Sequence, residues 1–344
     1  MSYRIAINGY GRIGRCVLRA LYESTNYADL RIVAINDLAD SRTLAHLTRY
    51  DSTHGRFLGT VEHTEDSLEI AGDSIAVSRC PDLSGLPWQQ QAIDLVLECS
   101  GAFSDRGTAE QHLQQGAKKV LFSQPAESDV DFTAVWGINH EQLQPSHRII
   151  SNASCTTNCI VPVLASVDEE LGIRSGIITT IHSAMNDQPV IDSFHHHDLR
   201  RTRSAMQSII PVETALARGI ERILPQLQGK LSAQAIRVPT VNVSAMDLTI
   251  MVQKEAAQLS VESVNAMLRR ASERLPANVL GTTDEPLASC DFNHDPRSAI
   301  VDLTQTRVAP GGLVNLLVWF DNEWAYANRM LDVAQFLRSL DSQV

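Results

Sequence analysis

The chain has 344 residues, enough for about two domains and at least one substantial core. At 44% hydrophobic and 20% charged residues it has the composition of a soluble globular protein, and no run nears the ~18 apolar residues that span a membrane. A net charge of −11 argues against nucleic acid or an anionic membrane as partner, since both are gripped by basic surface; a small anion held by a few local groups remains open.

The six cysteines, Cys16, Cys80, Cys99, Cys155, Cys159 and Cys290, are scattered and form no disulfide framework, so a reducing, cytoplasmic setting is expected. The opening MSYRIAINGY lacks a charged segment followed by a long apolar one and reads as a buried strand, not a secretion signal. From residue 3, YRIAINGYGRIGR is an apolar strand, a glycine-rich turn and the start of a helix. Gly9, Gly11 and Gly14 fit G-x-G-x-x-G: the first turns the chain, the second admits a pyrophosphate close to the backbone, and the third lets helix and strand pack closely. The helix N-terminus then directs N–H groups at the phosphate. A helix through Leu21 precedes the strand LRIVAIN, which leads to Asp37. A carboxylate there can accept from an adenosine ribose and would repel a 2′-phosphate, which favours NAD over NADP; as a helix N-cap it would be compatible with either.

Short antiparallel strands are expected between Thr60 and Ser78. The apolar runs Ile93–Glu98 and Lys118–Ser123 continue an alternation of strand and helix that predicts a mostly parallel sheet covered on both faces. SNASCTTNC, residues 151–159, then opens a helix that Gly172 should end, with Ser154 as N-cap and Cys155 in the first turn. The positive end of the helix dipole is expected to lower the pKa of that thiol. Cys159, one turn deeper, should pack, and CxxxC without further ligands is a poor zinc site, so one working thiol is expected. The strand GIITTIHSAM ends near His182, a candidate base for it. Adjacent histidines in HHHDLRRTR, residues 195–203, cannot all face one ion in an extended chain, so no metal is expected.

Five stretches, INGYGRIGR, YDSTHGRF, SNASCTTNC, RVPTVNVS (237–244) and DNEW (321–324), resemble glyceraldehyde-3-phosphate dehydrogenases, in order and over residues 5 to about 330. By that resemblance Cys155 is the nucleophile and His182 the group that activates it. Arg12 and Ile13 touch the pyrophosphate, Asp37 the adenosine ribose, Arg79 and Ser123 other parts of the coenzyme NAD, and Asn322 the nicotinamide amide. Ser154, Thr156, Arg201, Thr214 and Arg237 take the place of phosphate-binding residues, and Ala215 stands where the family has Gly. The implied fold is α/β: a Rossmann-type parallel-sheet domain over 1–153, an α+β catalytic domain over 154–318, and a C-terminal helix over 319–344 that returns to the first domain. A homotetramer acting on a small aldehyde phosphate is implied, with the 195–203 segment in a loop lining the cofactor pocket at a subunit boundary.

One departure matters. After the histidine the family usually reads like HSYTATQ; this chain reads HSAMNDQ, with Ala184, Met185 and Asp187 replacing hydroxyl-bearing side chains. That pattern, with DLRRTR, is similar to the branch that oxidises D-erythrose 4-phosphate to 4-phosphoerythronate for pyridoxal phosphate synthesis. The phosphorylating glyceraldehyde-3-phosphate enzyme is the alternative.

Overall fold

The structure is a computed structural model that describes residues 2–195, 198–254 and 259–342. Two compact units divide it: one runs up to Ser154 and resumes at Tyr326, and the other is Cys155–Ala325.

The first unit is built on a nine-stranded sheet. From edge to edge its order is Phe132–Thr133, Ile149–Ser151, Lys119–Phe122, Leu95–Glu98, Tyr3–Asn8, Leu30–Asn36, Asp73–Ser78, Ser67–Ile70 and Val61–His63. From Phe132–Thr133 across to Asp73–Ser78 every pairing is parallel. Central strands of such a sheet are covered on both faces, and the apolar run of YRIAIN fits: Ile5, Ala6 and Ile7 are fully buried. The strand order reverses direction at Tyr3–Asn8, which puts a topological switch point at its carboxyl end. Within 60–78, Val61–His63 and Ser67–Ile70 pair antiparallel as expected. Asp73–Ser78 departs from that expectation by also joining Leu30–Asn36 in parallel.

The helix Trp324–Asp341 is tied to this unit by polar anchors. Asp332 accepts from Tyr27 Oη at 2.9 Å, Asp341 from Tyr3 Oη at 2.9 Å, and Lys119 Nζ lies 3.2 Å from Asp341.

The second unit holds a mixed seven-stranded sheet in the order Ile210–Val212, Leu231–Arg237, Ile173–His182, Ser244–Val252, Leu313–Phe320, Ala299–Ala309 and Leu280–Thr283. Burial alternates along Leu313–Phe320, as period-two patterning requires of a sheet with unlike faces. The Cys155–Leu171 helix packs on this sheet, and its Ile160, Val163, Leu164 and Val167 are fully buried. It ends at Gly172, which takes the left-handed conformation (φ +65°) and donates its N–H to Asp168 O. No helix among the described residues is long and apolar enough to cross a membrane.

Candidate active site

The glycine turn of the first unit is shaped by close approach. Gly9 has φ +87°, and a Cβ on it would lie 2.4 Å from Ser100 Cα; one on Gly14 would lie 2.5 Å from the Gly9 carbonyl oxygen. Gly11 differs, since no atom lies within 4 Å of its Cβ position. It is the N-cap of the Arg12–Glu23 helix. Open space therefore adjoins a helix start, where backbone N–H groups have no intrahelical partner. Such a space suits an anion, and a side chain on residue 11 would narrow it.

Arg12 and Ile13 open that helix. The Arg12 guanidinium is held by Asp51 of YDSTHGRF at 2.5 Å, and Asp51 also accepts from the N–H groups of Thr53 and His54. Burial pushes the Asp51 carboxyl up, but these three partners win and hold it well below the usual carboxylate range. Asp37 accepts from Tyr10 N–H at 2.8 Å and from Ala39 N–H at 3.0 Å, tying the end of the second strand to the glycine turn. It is not a helix cap; Asp40 fills that role by accepting from Thr43. Arg79 is exposed and donates to Glu65 O. Ser123 hydrogen-bonds the Cys99 thiol. Asp37, Arg79 and Ser123 each follow directly on a parallel strand, the end of such sheets at which ligands bind. Ser154 is the last residue of this segment and precedes the thiol in the chain.

In the second unit Cys155 is the first residue of its helix, and its Sγ lies 3.8 Å from His182 Nε2. His182 is 5% exposed, at the end of the Ile173–His182 strand. Its Nδ1 is 2.9 Å from the Ser183 carbonyl, which can only accept, so Nδ1 carries the proton and Nε2 turns a lone pair to the thiol. Burial, with Arg237 behind it, pushes the imidazole down to about 4. Burial also pushes the Cys155 thiol up to about 11, against the pull of Arg237 and of the Thr156 N–H. The expectation of a lowered thiol pKa is therefore corrected: desolvation outweighs the helix N-terminus, and a neutral thiol faces a neutral base. Cys159 is fully buried and burial pushes its thiol well above the ordinary range, so it packs.

Asn322 Oδ1 accepts from Ser183 Oγ at 3.1 Å and Ser244 Oγ at 2.8 Å, which leaves its N–H2 group to donate elsewhere. Arg237 is paired with His182 across parallel strands, and its Nη1 is buried with no hydrogen-bond partner among the described residues. Arg201 donates from Nη1 to Asp187 at 2.8 Å, and its Nε lies 3.6 Å from Asp198. Both Asp187 and Arg201 act electrostatically on Arg237, which brings the three together. Thr156 sits in the first turn beside the thiol. Thr214 and Ala215 lie exposed at the start of the Leu216–Ile223 helix, and neither hydrogen-bonds either arginine. In HHHDLRRTR, His196 and His197 lie outside the described residues, and Asp198 caps a single 3₁₀ turn. Sequence reasoning missed Ser183 and Ser244 as the groups that orient Asn322. Ser183 follows His182 directly, but nothing linear pairs it with a residue so far downstream.

One unit thus offers a parallel sheet with an open helix start at its switch point, and the other a Cys–His pair together with an arginine whose buried Nη1 has no hydrogen-bond partner among the described residues; features of this kind belong to nucleotide-dependent dehydrogenases. Comparison with family models matches residues 3–106 to the NAD binding domain of glyceraldehyde 3-phosphate dehydrogenase, and residues 154–322 to the C-terminal domain of the same enzyme. The chain carries both domains of the glyceraldehyde 3-phosphate dehydrogenase family, and its coenzyme is NAD.

Proposed function

We propose that the protein oxidises D-erythrose 4-phosphate to 4-phospho-D-erythronate, a step of pyridoxal 5′-phosphate synthesis, through a Cys155 thioester that water hydrolyses. Gly9, Gly11, Arg12, Ile13, Gly14, Asp37, Arg79, Ser123 and Asn322 would hold NAD. Ser154, Thr156, Arg201, Thr214, Ala215 and Arg237 would surround the substrate, in a cytoplasmic homotetramer. The Cys155 proton passes to His182 Nε2 as sulfur bonds the aldehyde carbon, and the aldehyde oxygen then takes that proton from His182 to give a hemithioacetal, leaving the imidazole neutral again. NAD supplies the acceptor for the hydride that leaves this carbon, while His182 takes the hydroxyl proton and a thioester results. His182 releases that proton to solvent; water then adds as His182 takes one of its protons, the C–S bond breaks to give the acid, and His182 returns the proton to the Cys155 sulfur. N–H groups at the helix start stabilise the oxyanion in each addition.

The observation that carries the choice of branch is the ion pair between Asp187 and Arg201 at 2.8 Å. Transfer to inorganic phosphate needs two anion sites, one for the substrate phosphate and one for the attacking phosphate. Asp187 occupies Arg201 Nη1, whereas Arg237 Nη1 is buried without a hydrogen-bond partner among the described residues and stays available to the substrate phosphate. Met185 offers no donor where the family has a hydroxyl. Losing a donor to a charged group costs about 1.5–3 kcal/mol, enough to weaken a second anion by tenfold or more. Water needs no such site.

The test follows NADH formation while phosphate is titrated from none to excess, with identification of the product. A rate nearly independent of phosphate, free acid as product, and a higher kcat/KM for erythrose 4-phosphate than for glyceraldehyde 3-phosphate are expected. A strict phosphate requirement would instead favour the phosphorylating enzyme.

A further inference from the structure

Beneath the carboxyl ends of the central parallel strands lies a buried polar cluster that the chemistry above does not use. Glu98 ends the Leu95–Glu98 strand at 1% exposure. Its Oε1 accepts from the Ser100 N–H at 2.9 Å and the Ser100 hydroxyl at 2.5 Å. Its Oε2 accepts from Asn8 Nδ2 at 2.6 Å and lies 2.9 Å from His112 Nε2. The tautomer follows from the far side of the ring. Trp88 Nε1, which can only donate, lies 3.0 Å from His112 Nδ1, so the ring's own proton is on Nε2 and is given to Glu98. Asn8 Oδ1 in turn accepts from Asn36 Nδ2 at 2.8 Å, and Asn36 Oδ1 accepts from Cys80 N–H and Ser78 Oγ. Four donors converge on one carboxylate, using its acceptor capacity in full.

What this cluster joins is informative. Asn8 directly precedes Gly9, and Gly9 approaches Ser100 so closely that a Cβ would lie 2.4 Å from Ser100 Cα. Glu98 thus grips the chain on both sides of that contact. We propose that Glu98 is a positioning residue for the coenzyme: it holds the Ser100 backbone against the Gly9 turn and so fixes the open space beside Gly11 in which the pyrophosphate is bound. A carboxylate suits this task because it takes two donors on each oxygen. An amide of the same size would turn an N–H2 group towards Ser100 or towards Asn8 and His112, and one grip would open.

Calorimetric titration of NAD into the full-length protein, with steady-state kinetics on the same preparations, tests this. For Glu98→Gln the NAD Kd and the KM for NAD should rise together by about tenfold or more, while kcat at saturating NAD and the KM for the aldehyde phosphate stay within about twofold. A lowered melting temperature with a wild-type Kd would reduce Glu98 to a core residue and overturn the proposal, as would a loss of kcat with unchanged NAD affinity. If Glu98→Gln does not fold, Ser100→Ala carries the test. It removes one of the four donors at an exposed position, so a Kd raised about threefold with unchanged melting supports the proposal, and a wild-type Kd overturns it.

Discussion

At His182 the hydrogen bond to the Ser183 carbonyl sets which nitrogen meets the thiol, and burial sets its charge. A histidine free in the unfolded chain titrates near ~6.5, whereas burial pushes the folded one down to about 4. Between those values the unfolded chain binds a proton that the folded chain does not, so folding stability rises with pH through this window. The contribution is complete above the unfolded value and is lost as pH falls towards the folded one, about 3 kcal/mol over the whole window. His182→Gln should therefore flatten the dependence of stability on pH, as measured by chemical denaturation at about pH 5 and about pH 7. Identical slopes for variant and wild type would mean that His182 is not the buried neutral base described.

At the scale of elements, the strand, turn and helix of residues 3–23 contain three glycines with two different reasons to exist. Gly9 and Gly14 are needed by the fold itself, because a Cβ on either would meet backbone atoms at 2.4 and 2.5 Å. Gly11 borders open space, so the fold does not need it. Gly14→Ala is expected to lower the melting temperature and NAD affinity together. Gly11→Ala should melt like the wild type and still bind NAD about tenfold or more weakly, since its methyl group would occupy the phosphate space. Unchanged NAD affinity in Gly11→Ala would place the pyrophosphate elsewhere.

For the molecule as a whole, the returning helix completes the first unit. Without it Tyr3, Tyr27 and the buried Lys119 lose their carboxylate partners, and the apolar surface against which Met330, Leu331, Val333 and Leu337 are fully buried would be exposed to water. Removal of 326–344 should yield aggregated protein, whereas Tyr27→Phe, which deletes one hydrogen bond, should cost only about 1 kcal/mol in chemical denaturation. A soluble, NAD-binding truncated chain would refute the first of these.

Sequence alone determined the features whose causes are local. The glycine spacing, the strand YRIAIN, the helix starting at Cys155 and its stop at Gly172 are set by backbone geometry over a few residues, and they are legible as written. Asp37 was legible as a position; that it secures the turn through Tyr10 N–H, while Asp40 caps the helix, was not. Tertiary structure alone decided the 3.8 Å approach of His182 to Cys155, the orientation of Asn322 by Ser183 and Ser244, and the pairing of Asp187 with Arg201. It also decided the charge of the thiol. A helix N-terminus can be read from a cap, but desolvation depends on what the rest of the chain packs around the sulfur, and here that packing outweighs the dipole. Distances and burial are sums over residues far apart in sequence, so no linear pattern encodes them.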